Sequence, residues 1–167
     1  MAFELCYLPA FPDTLRAMAK KDGSIETFIT DLEAANKPGD KDIHVLMDLA
    51  MAATYDPDPS QFLGIRLPVD MDTCELIEER WANWLAWDPL RMVEAHADNL
   101  RSLKALFIDC GDVDQYDLVY GARRMHRNLE RLSVPHRYEE FPDTHSGIDY
   151  RLDESLPYLA EALNAGS

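Results

Sequence analysis

The segment from Ala105 to Phe141 has the sequence pattern of a parallel β-α-β unit. Residues 105–108 form a continuous apolar run of strand length, as expected where helices cover both faces of a strand. An amphipathic helix is predicted next, with apolar residues at helical spacing: Leu118, Ala122, Met125, Leu129 and Leu132. Ser133-Val-Pro135 ends this helix, and His136 to Phe141 favours a second strand. A helical crossover of this kind joins parallel strands, which indicates the α/β class.

The first 103 residues are predicted to be mainly helical. Three stretches carry apolar stripes at helical spacing: Ile25, Phe28, Ile29 and Leu32; Ile43, Leu46, Met47 and Ala50; Ile77, Trp81, Trp84 and Leu85. Ser24 has the residue type and position of an N-cap, and Asp88-Pro89 indicates the start of a further helix. Before these helices, Phe3 to Leu8 favours a short strand or an extended lead-in. Residues 55–72 favour a long ordered loop.

A last amphipathic helix is indicated by four leucines, Leu152, Leu156, Leu159 and Leu163. Pro157 is compatible with this helix only in the first turn, because proline lacks the backbone N–H that later turns require. We therefore expect one compact α/β domain. In it, residues 1–103 form a helical, cap-like region, and residues 104–167 form the parallel β-α-β unit and a C-terminal helix.

The net charge of the chain argues against two classes of partner. Its 167 residues include 31 acidic and 16 basic side chains, which gives a formal charge of −15. Such a field repels phosphate backbones and anionic lipid surfaces. We expect neither nucleic acid nor a membrane as a partner.

Cysteine content and the N-terminal sequence predict a cytoplasmic location. Three cysteines, Cys6, Cys74 and Cys110, are odd in number and far apart, which suits neither a disulfide framework nor a zinc site. Neither a signal-peptide pattern nor a membrane-length apolar run is present. Met1-Ala2 directly before an apolar run is typical of a start within a longer protein.

Two polar residues follow the ends of the predicted strands, Asp114 after the first and His145 after the second. The carboxyl ends of adjacent parallel strands meet at one edge of a sheet, so the two side chains are expected to lie together there. In a hydrolase relay, a carboxylate orients an imidazole that takes the proton of a nucleophile. The pair therefore predicts the acid and the base of such a relay.

The C-terminal motifs resemble a known family. They are Ile108-Asp-Cys-Gly-Asp-Val-Asp-Gln-Tyr-Asp117, Tyr120-Gly-Ala-Arg-Arg124, Val134-Pro-His136, Tyr138-Glu-Glu-Phe141, His145-Ser-Gly147 and Ser155-Leu-Pro157. From Leu106 to Leu163 the chain is similar to the C-terminal part of α/β-hydrolase esterases related to esterase D. The helical first hundred residues resemble the insertion that precedes the last two strands of that family. The resemblance implies a partial α/β-hydrolase fold with Asp114 as triad carboxylate and His145 as general base. We expect no cofactor and no metal.

The nucleophile of that family is missing from this sequence. The chain contains no Gly-x-Ser-x-Gly motif and neither half of an oxyanion hole. One hypothesis is that the chain is the C-terminal part of a serine carboxylic-ester hydrolase, inactive alone and acting on a small-molecule ester once a serine-bearing segment completes it. The alternative is a non-catalytic interaction module that self-associates or binds a partner chain through exposed strand edges.

Each candidate residue also has a plainer interpretation. Asp114 could cap the next helix, and His145 could be a surface turn residue. The aspartates near Asp114 lack the glycine and glutamate that a calcium loop of the EF-hand type requires. Cys110 is expected to be a buried thiol rather than a nucleophile, and Ser146 is poorly placed to replace the missing serine.

Overall fold

The structure is a computed structural model that describes residues 2–19, 24–35 and 37–165. Within these residues the chain forms nine α-helices, two β-strands and two short 3-10 turns, at Phe62–Gly64 and Asp149–Arg151. In chain order the helices and strands are α1 (Phe3–Cys6), α2 (Phe11–Ala19), α3 (Ile25–Ala34), α4 (Asp40–Tyr55), α5 (Glu78–Leu85), α6 (Pro89–Met92), α7 (Ala97–Arg101), β1 (Phe107–Gly111), α8 (Leu118–Arg131), β2 (Arg137–Phe141) and α9 (Leu152–Asn164). This helix-rich architecture with a small parallel sheet is compatible with the predicted α/β class.

The chain divides into two compact units. One comprises the residues up to Cys6 together with those from Asp88 onward, and the other is Tyr7–Trp87. The division comes before residue 103, where the sequence pattern changes, because α6 and α7 pack in the unit that contains α8. The unit that contains the strands is called the sheet unit below, and Tyr7–Trp87 is called the helical unit.

The sheet unit is built on the parallel pairing of β1 with β2. Phe107 pairs with Arg137 at one end and Gly111 with Phe141 at the other, so the two strands end level. On one face α8 packs over β1, in a core that consists of Val93, Leu129 and Val134 with the surrounding Leu100, Leu106, Ile108, Met125 and Leu132. On the opposite face Tyr158 of α9 packs against Phe107, with ring centroids 5.7 Å apart. The predicted β-α-β unit and its parallel strands are confirmed.

An ion-pair network lies on the face that α9 covers. Asp109 and Glu139 are directly opposite in the two strands, and their like charges would repel across the ladder. Arg151 lies between them: its Nε donates to Asp109 Oδ2 at 2.9 Å, and another of its nitrogens pairs with Glu139. Arg137 makes a second ion pair with Glu139. These cations offset the repulsion and tie the chain after β2 back to the sheet.

The helical unit has an aromatic core around Trp84. This side chain is fully buried, and it makes edge contacts with the rings of Tyr7, Phe11 and Tyr55 at centroid distances of 5.3 to 5.5 Å. Ser24 caps α3 as predicted, because its Oγ accepts the N–H of Thr27 at 2.9 Å. The long loop after α4 is held by a two-pronged ion pair between the Arg66 guanidinium and the Asp56 carboxylate, at 2.7 and 2.8 Å.

Two predictions about the chain ends are wrong in detail. Residues 3–6 form a helical turn rather than a strand, and the Phe3 N–H donates to Asp88 Oδ2 at 2.9 Å. Asp88 also caps α6 through the Leu90 N–H, as predicted. Pro157 lies beyond the first turn of α9. The missing proline N–H costs that helix one backbone hydrogen bond, and the helix nevertheless continues to Asn164.

Two predicted apolar stripes face outward. On α4 the buried apolar side chains are Val45, Leu49 and Ala52, whereas Ile43, Leu46 and Met47 are exposed. On α9 Leu152, Leu156 and Leu163 are more than half exposed. Periodicity identified both helices correctly, but it could not show that part of each apolar surface has no neighbour in the described structure.

Asp48 predicts a pH-dependent stability of the helical unit. This carboxyl is buried in α4 and accepts a hydrogen bond from Thr14 Oγ1. Burial raises the pKa of Asp48 to about 6, although the bond from Thr14 and the nearby His44 oppose the shift. The neutral acid is therefore favoured in the folded state, and the stability it contributes is full below about pH 4 and lost as the pH rises through about 6.

We expect Asp48→Asn to remove this loss, because the amide oxygen still accepts from Thr14 and does not ionise. At pH 7.5 the free energy of unfolding of the variant should exceed that of the wild type by roughly 2 to 3 kcal/mol, and at pH 4 the two should be close. Urea unfolding followed by tryptophan fluorescence measures the difference. Glu33→Gln, on the exposed face of α3, is the control, and an equal pH dependence in wild type and Asp48→Asn would contradict the prediction.

Candidate functional site

The candidate site lies where both strands of the parallel sheet end. The loop after β1 carries Asp114, and the loop after β2 carries His145. Backbone hydrogen bonds join the two loops directly: Asp112 N–H donates to Phe141 O at 2.9 Å, and Val113 N–H donates to Asp143 O at 3.3 Å. The level ends of the strands therefore bring the two predicted residues to one rim.

The Asp114 carboxylate and the His145 imidazole form a hydrogen bond. Asp114 Oδ2 lies 2.9 Å from His145 Nδ1, so Nδ1 carries a proton and donates it to the carboxylate. The proton on neutral imidazole is then fixed on Nδ1, which leaves the lone pair on Nε2. The predicted proximity of the two groups is confirmed; a catalytic role for them stays a prediction.

Burial differs sharply across this pair. The Asp114 side chain is only 2% exposed, whereas the His145 side chain is 47% exposed. Among the described residues, none makes a hydrogen bond to His145 Nε2. The pair thus presents a buried acceptor behind a ring whose basic nitrogen is accessible, which is the geometry a general base needs.

Asp114 also organises the start of α8. Its Oδ1 accepts the Tyr116 N–H at 2.8 Å and lies 3.4 Å from the Leu118 N–H. The first contact is an Asx turn, in which aspartate bonds the backbone two residues on. The prediction that Asp114 caps the helix is wrong in detail, because Asp117 holds the N-cap position. Asp114 uses one carboxylate oxygen for the backbone N–H groups at the start of α8 and the other for the histidine.

Two neighbours of Asp114 also contact the histidine. Gln115 Oε1 accepts the backbone N–H of His145 at 3.0 Å. The Tyr116 ring meets the imidazole edge-on, with centroids 5.1 Å apart and an interplanar angle of 87°. Three consecutive residues, 114 to 116, therefore hold one histidine by three different interactions.

Gly111 permits the close approach of the histidine loop. A Cβ at this position would lie 2.6 Å from Thr144 O and closer still to Asp143 O. Both contacts would be far below van der Waals distance, and both acceptors belong to backbone just before His145. Only glycine fits here with the loop in its present position.

Sequence reasoning missed Gln115 and Gly111. Gly111 could have been suspected, since a glycine at a strand end often marks a close backbone approach. No sequence signal identifies Gln115, because a glutamine at an exposed loop position is common and its acceptor role depends on how the loops meet.

The other candidates take no part in the contacts of the pair. The Cys110 thiol is buried, and burial together with the charge of Asp114 raises its pKa to about 11, so it is a poor nucleophile. Ser146 donates its backbone N–H to Thr144 Oγ1 at 3.4 Å, and its hydroxyl makes no hydrogen bond to His145. Asp109 is paired with Arg151.

Across residues 2–19, 24–35 and 37–165, no cluster of three or more His, Cys, Asp or Glu side chains has the arrangement of a metal site.

An open apolar groove runs beside β1 in the sheet unit. It encloses about 280 Å³. Side chains from β1 and the residue before it, α6, α7, α8 and the turns between them line it: Pro89, Met92, Val93, His96, Leu100, Leu106, Ile108, Met125 and Leu129. Such a groove beside an edge strand suits an apolar segment rather than a polar ligand.

Comparison with known proteins gives no family assignment. No protein-family model matches the chain, and no curated protein matches it. The resemblance to esterases therefore stays a prediction from the sequence motifs given above. As to membranes, none of the helices in the described ranges combines the length and apolar character of a spanning segment.

We expect Gly111→Ala to displace the histidine loop. The added methyl group would force the carbonyls of Asp143 and Thr144 away, which pulls His145 from Asp114 and costs about 1 to 3 kcal/mol of stability. Proton NMR would show loss of the hydrogen-bonded Nδ1–H signal of His145. Gly147→Asn is the control: that glycine has φ +71°, a Cβ there would meet no atom within 4 Å, and asparagine tolerates this conformation. An unchanged Nδ1–H signal in Gly111→Ala would contradict the prediction.

Proposed function

We propose that this chain supplies the acid and the base of a serine carboxylic-ester hydrolase with an α/β-hydrolase fold. The observation that carries the proposal is the 2.9 Å hydrogen bond between buried Asp114 and half-exposed His145, at the carboxyl end of two parallel strands. The order along the chain, acid first and histidine second, supports it, as do the motifs that resemble esterases.

The pair can do general acid and base chemistry but lacks a nucleophile. In the described residues no serine, threonine or cysteine side chain bonds to His145. The proposal therefore requires a serine from a segment outside this sequence or from another chain. That segment would have to bring the hydroxyl to His145 Nε2 and also provide the backbone donors of an oxyanion hole.

The proposed reaction then follows the usual course of acyl transfer. The serine oxygen bonds to the ester carbonyl carbon while its proton passes to His145 Nε2, and the Asp114 carboxylate stabilises the imidazolium. Cleavage of the ester C–O bond releases the alcohol, which takes the proton from His145. Water next attacks the acyl-serine with His145 accepting its proton, and the carboxylic acid leaves as serine regains that proton.

The free edge of β1 suggests where the completing segment would bind. Arg137 N–H donates to Leu106 O at 2.9 Å, which identifies the residues of β1 that hydrogen-bond to β2. In a parallel pair, the backbone N–H and C=O groups of every second residue point to the same neighbouring strand. The N–H and C=O groups of Phe107 and Asp109 therefore point away from β2. Among the described residues no strand pairs with this edge. A further strand added here would lie beside the apolar groove, which would accept a helix packed on that strand.

Ester hydrolysis tests the proposal directly. The 167-residue chain alone should not cleave a short-chain nitrophenyl ester. The protein encoded together with its upstream sequence, called the extended protein below, should cleave it. Within the active form His145→Ala should lower kcat/KM by about 10³-fold or more, since general base catalysis is lost. His44→Gln, an exposed histidine of the helical unit, should leave activity unchanged. Activity of the extended protein that survives His145→Ala would refute the proposed role.

A second candidate function is a non-catalytic module that binds another copy of this chain. It is favoured by the exposed leucines of α9, which packs on β1. A two-stranded parallel sheet with an open edge gains stability from further strands. Two copies joined edge to edge through β1 would bury part of this leucine surface.

Light scattering distinguishes this candidate. If β1 edges join two copies, the chain should be dimeric, and Leu156→Lys on α9 should weaken the dimer by roughly tenfold or more, because a charge would enter the apolar interface. Met47→Lys, on the exposed stripe of α4, should leave it unchanged. A monomer at all accessible concentrations, or a dimer broken by Met47→Lys and not by Leu156→Lys, would exclude this interface.

A further inference from the structure

His145 lies in the loop between β2 and the 3-10 turn at Asp149–Arg151. Residues 142–148 form bends without helix or strand, and the imidazole is half exposed, so burial does not fix its position. The hydrogen bond to Asp114 holds Nδ1 only, so the direction of Nε2 also depends on where the His145 backbone is held. A second fixed point on the histidine is therefore needed to keep Nε2 in one direction.

Gln115 provides that second point. Its Oε1 accepts the His145 backbone N–H at 3.0 Å, while the preceding residue, Asp114, accepts from the ring. The backbone of His145 is thus held by one residue and its side chain by the next. The backbone N–H, the ring nitrogen Nδ1 and the ring itself therefore each have a contact, the ring with Tyr116.

We propose that Gln115 is a positioning residue for His145: its side-chain oxygen anchors the histidine backbone and so keeps the imidazole aligned with Asp114. The catalytic consequence rests on the proposed esterase function, but the alignment itself does not. The role requires an acceptor at this distance from the backbone and nothing else. Glutamate satisfies that requirement, and leucine, of similar size, does not.

The test compares Gln115→Leu with Gln115→Glu in the 167-residue chain at pH 8.5, where imidazole is generally neutral. Nitrogen-15 NMR of histidine side chains reports which nitrogen carries the proton, and His145→Gln identifies the signals. Wild type and Gln115→Glu should show the Nδ1–H form alone. Gln115→Leu should show a mixture of both forms and a roughly fivefold faster exchange of the His145 amide proton.

A merely structural role would not give this pattern. Gln115 is exposed, so the free energy of unfolding should be the same for both variants. The proposal is overturned if Gln115→Leu keeps the pure Nδ1–H form, or if Gln115→Glu loses it as leucine does.

An activity measurement separates this proposal from the proposed function. In the extended protein Gln115→Leu should lower kcat by roughly tenfold with little change in KM, and Gln115→Glu should restore kcat. If the extended protein cleaves no ester, the proposed function fails, while the NMR comparison still decides whether Gln115 holds His145. If esters are cleaved and kcat does not respond to Gln115→Leu, the positioning role in catalysis is overturned.

Discussion

The level, parallel pairing of β1 and β2 is the constraint on which the candidate site depends. Because Gly111 lies opposite Phe141 at the end of the ladder, the two loops leave the sheet at the same height and on the same side. A shift of the register by two residues would move one loop by about 6 to 7 Å along the strand and separate the carboxylate from the imidazole. The core that α8 forms with β1 and the Arg151 network on the other face both fix this register.

Much of this arrangement could be predicted from the sequence, because it depends on local pattern. The apolar run before Asp109, the amphipathic helix and the proline after it define the β-α-β unit. A helical crossover of this kind joins parallel strands, whose carboxyl ends lie at one rim. The proximity of Asp114 and His145 follows from that topology.

Other features depend on contacts that periodicity does not encode. The outward stripes of α4 and α9 have the same spacing as buried ones, so a sequence pattern cannot tell a covered face from an open one. The roles of Gly111 and Gln115 arise only where two loops of unrelated sequence touch. Whether such contacts form depends on shifts of a few tenths of an ångström in the positions of the two loops. No rule about the spacing of residues along the sequence predicts such shifts.

Because the two carboxylate oxygens of Asp114 accept from different donors, few other side chains can replace aspartate at this position. One oxygen serves backbone amides and the other serves the ring, and both must accept. Asparagine offers one acceptor and one donor, so whichever way its amide turned, either the first turn of the helix or the imidazole would face the wrong group. A mutant of this kind would have to disturb the helix start or reverse the histidine tautomer, which couples folding and proton transfer at a single side chain.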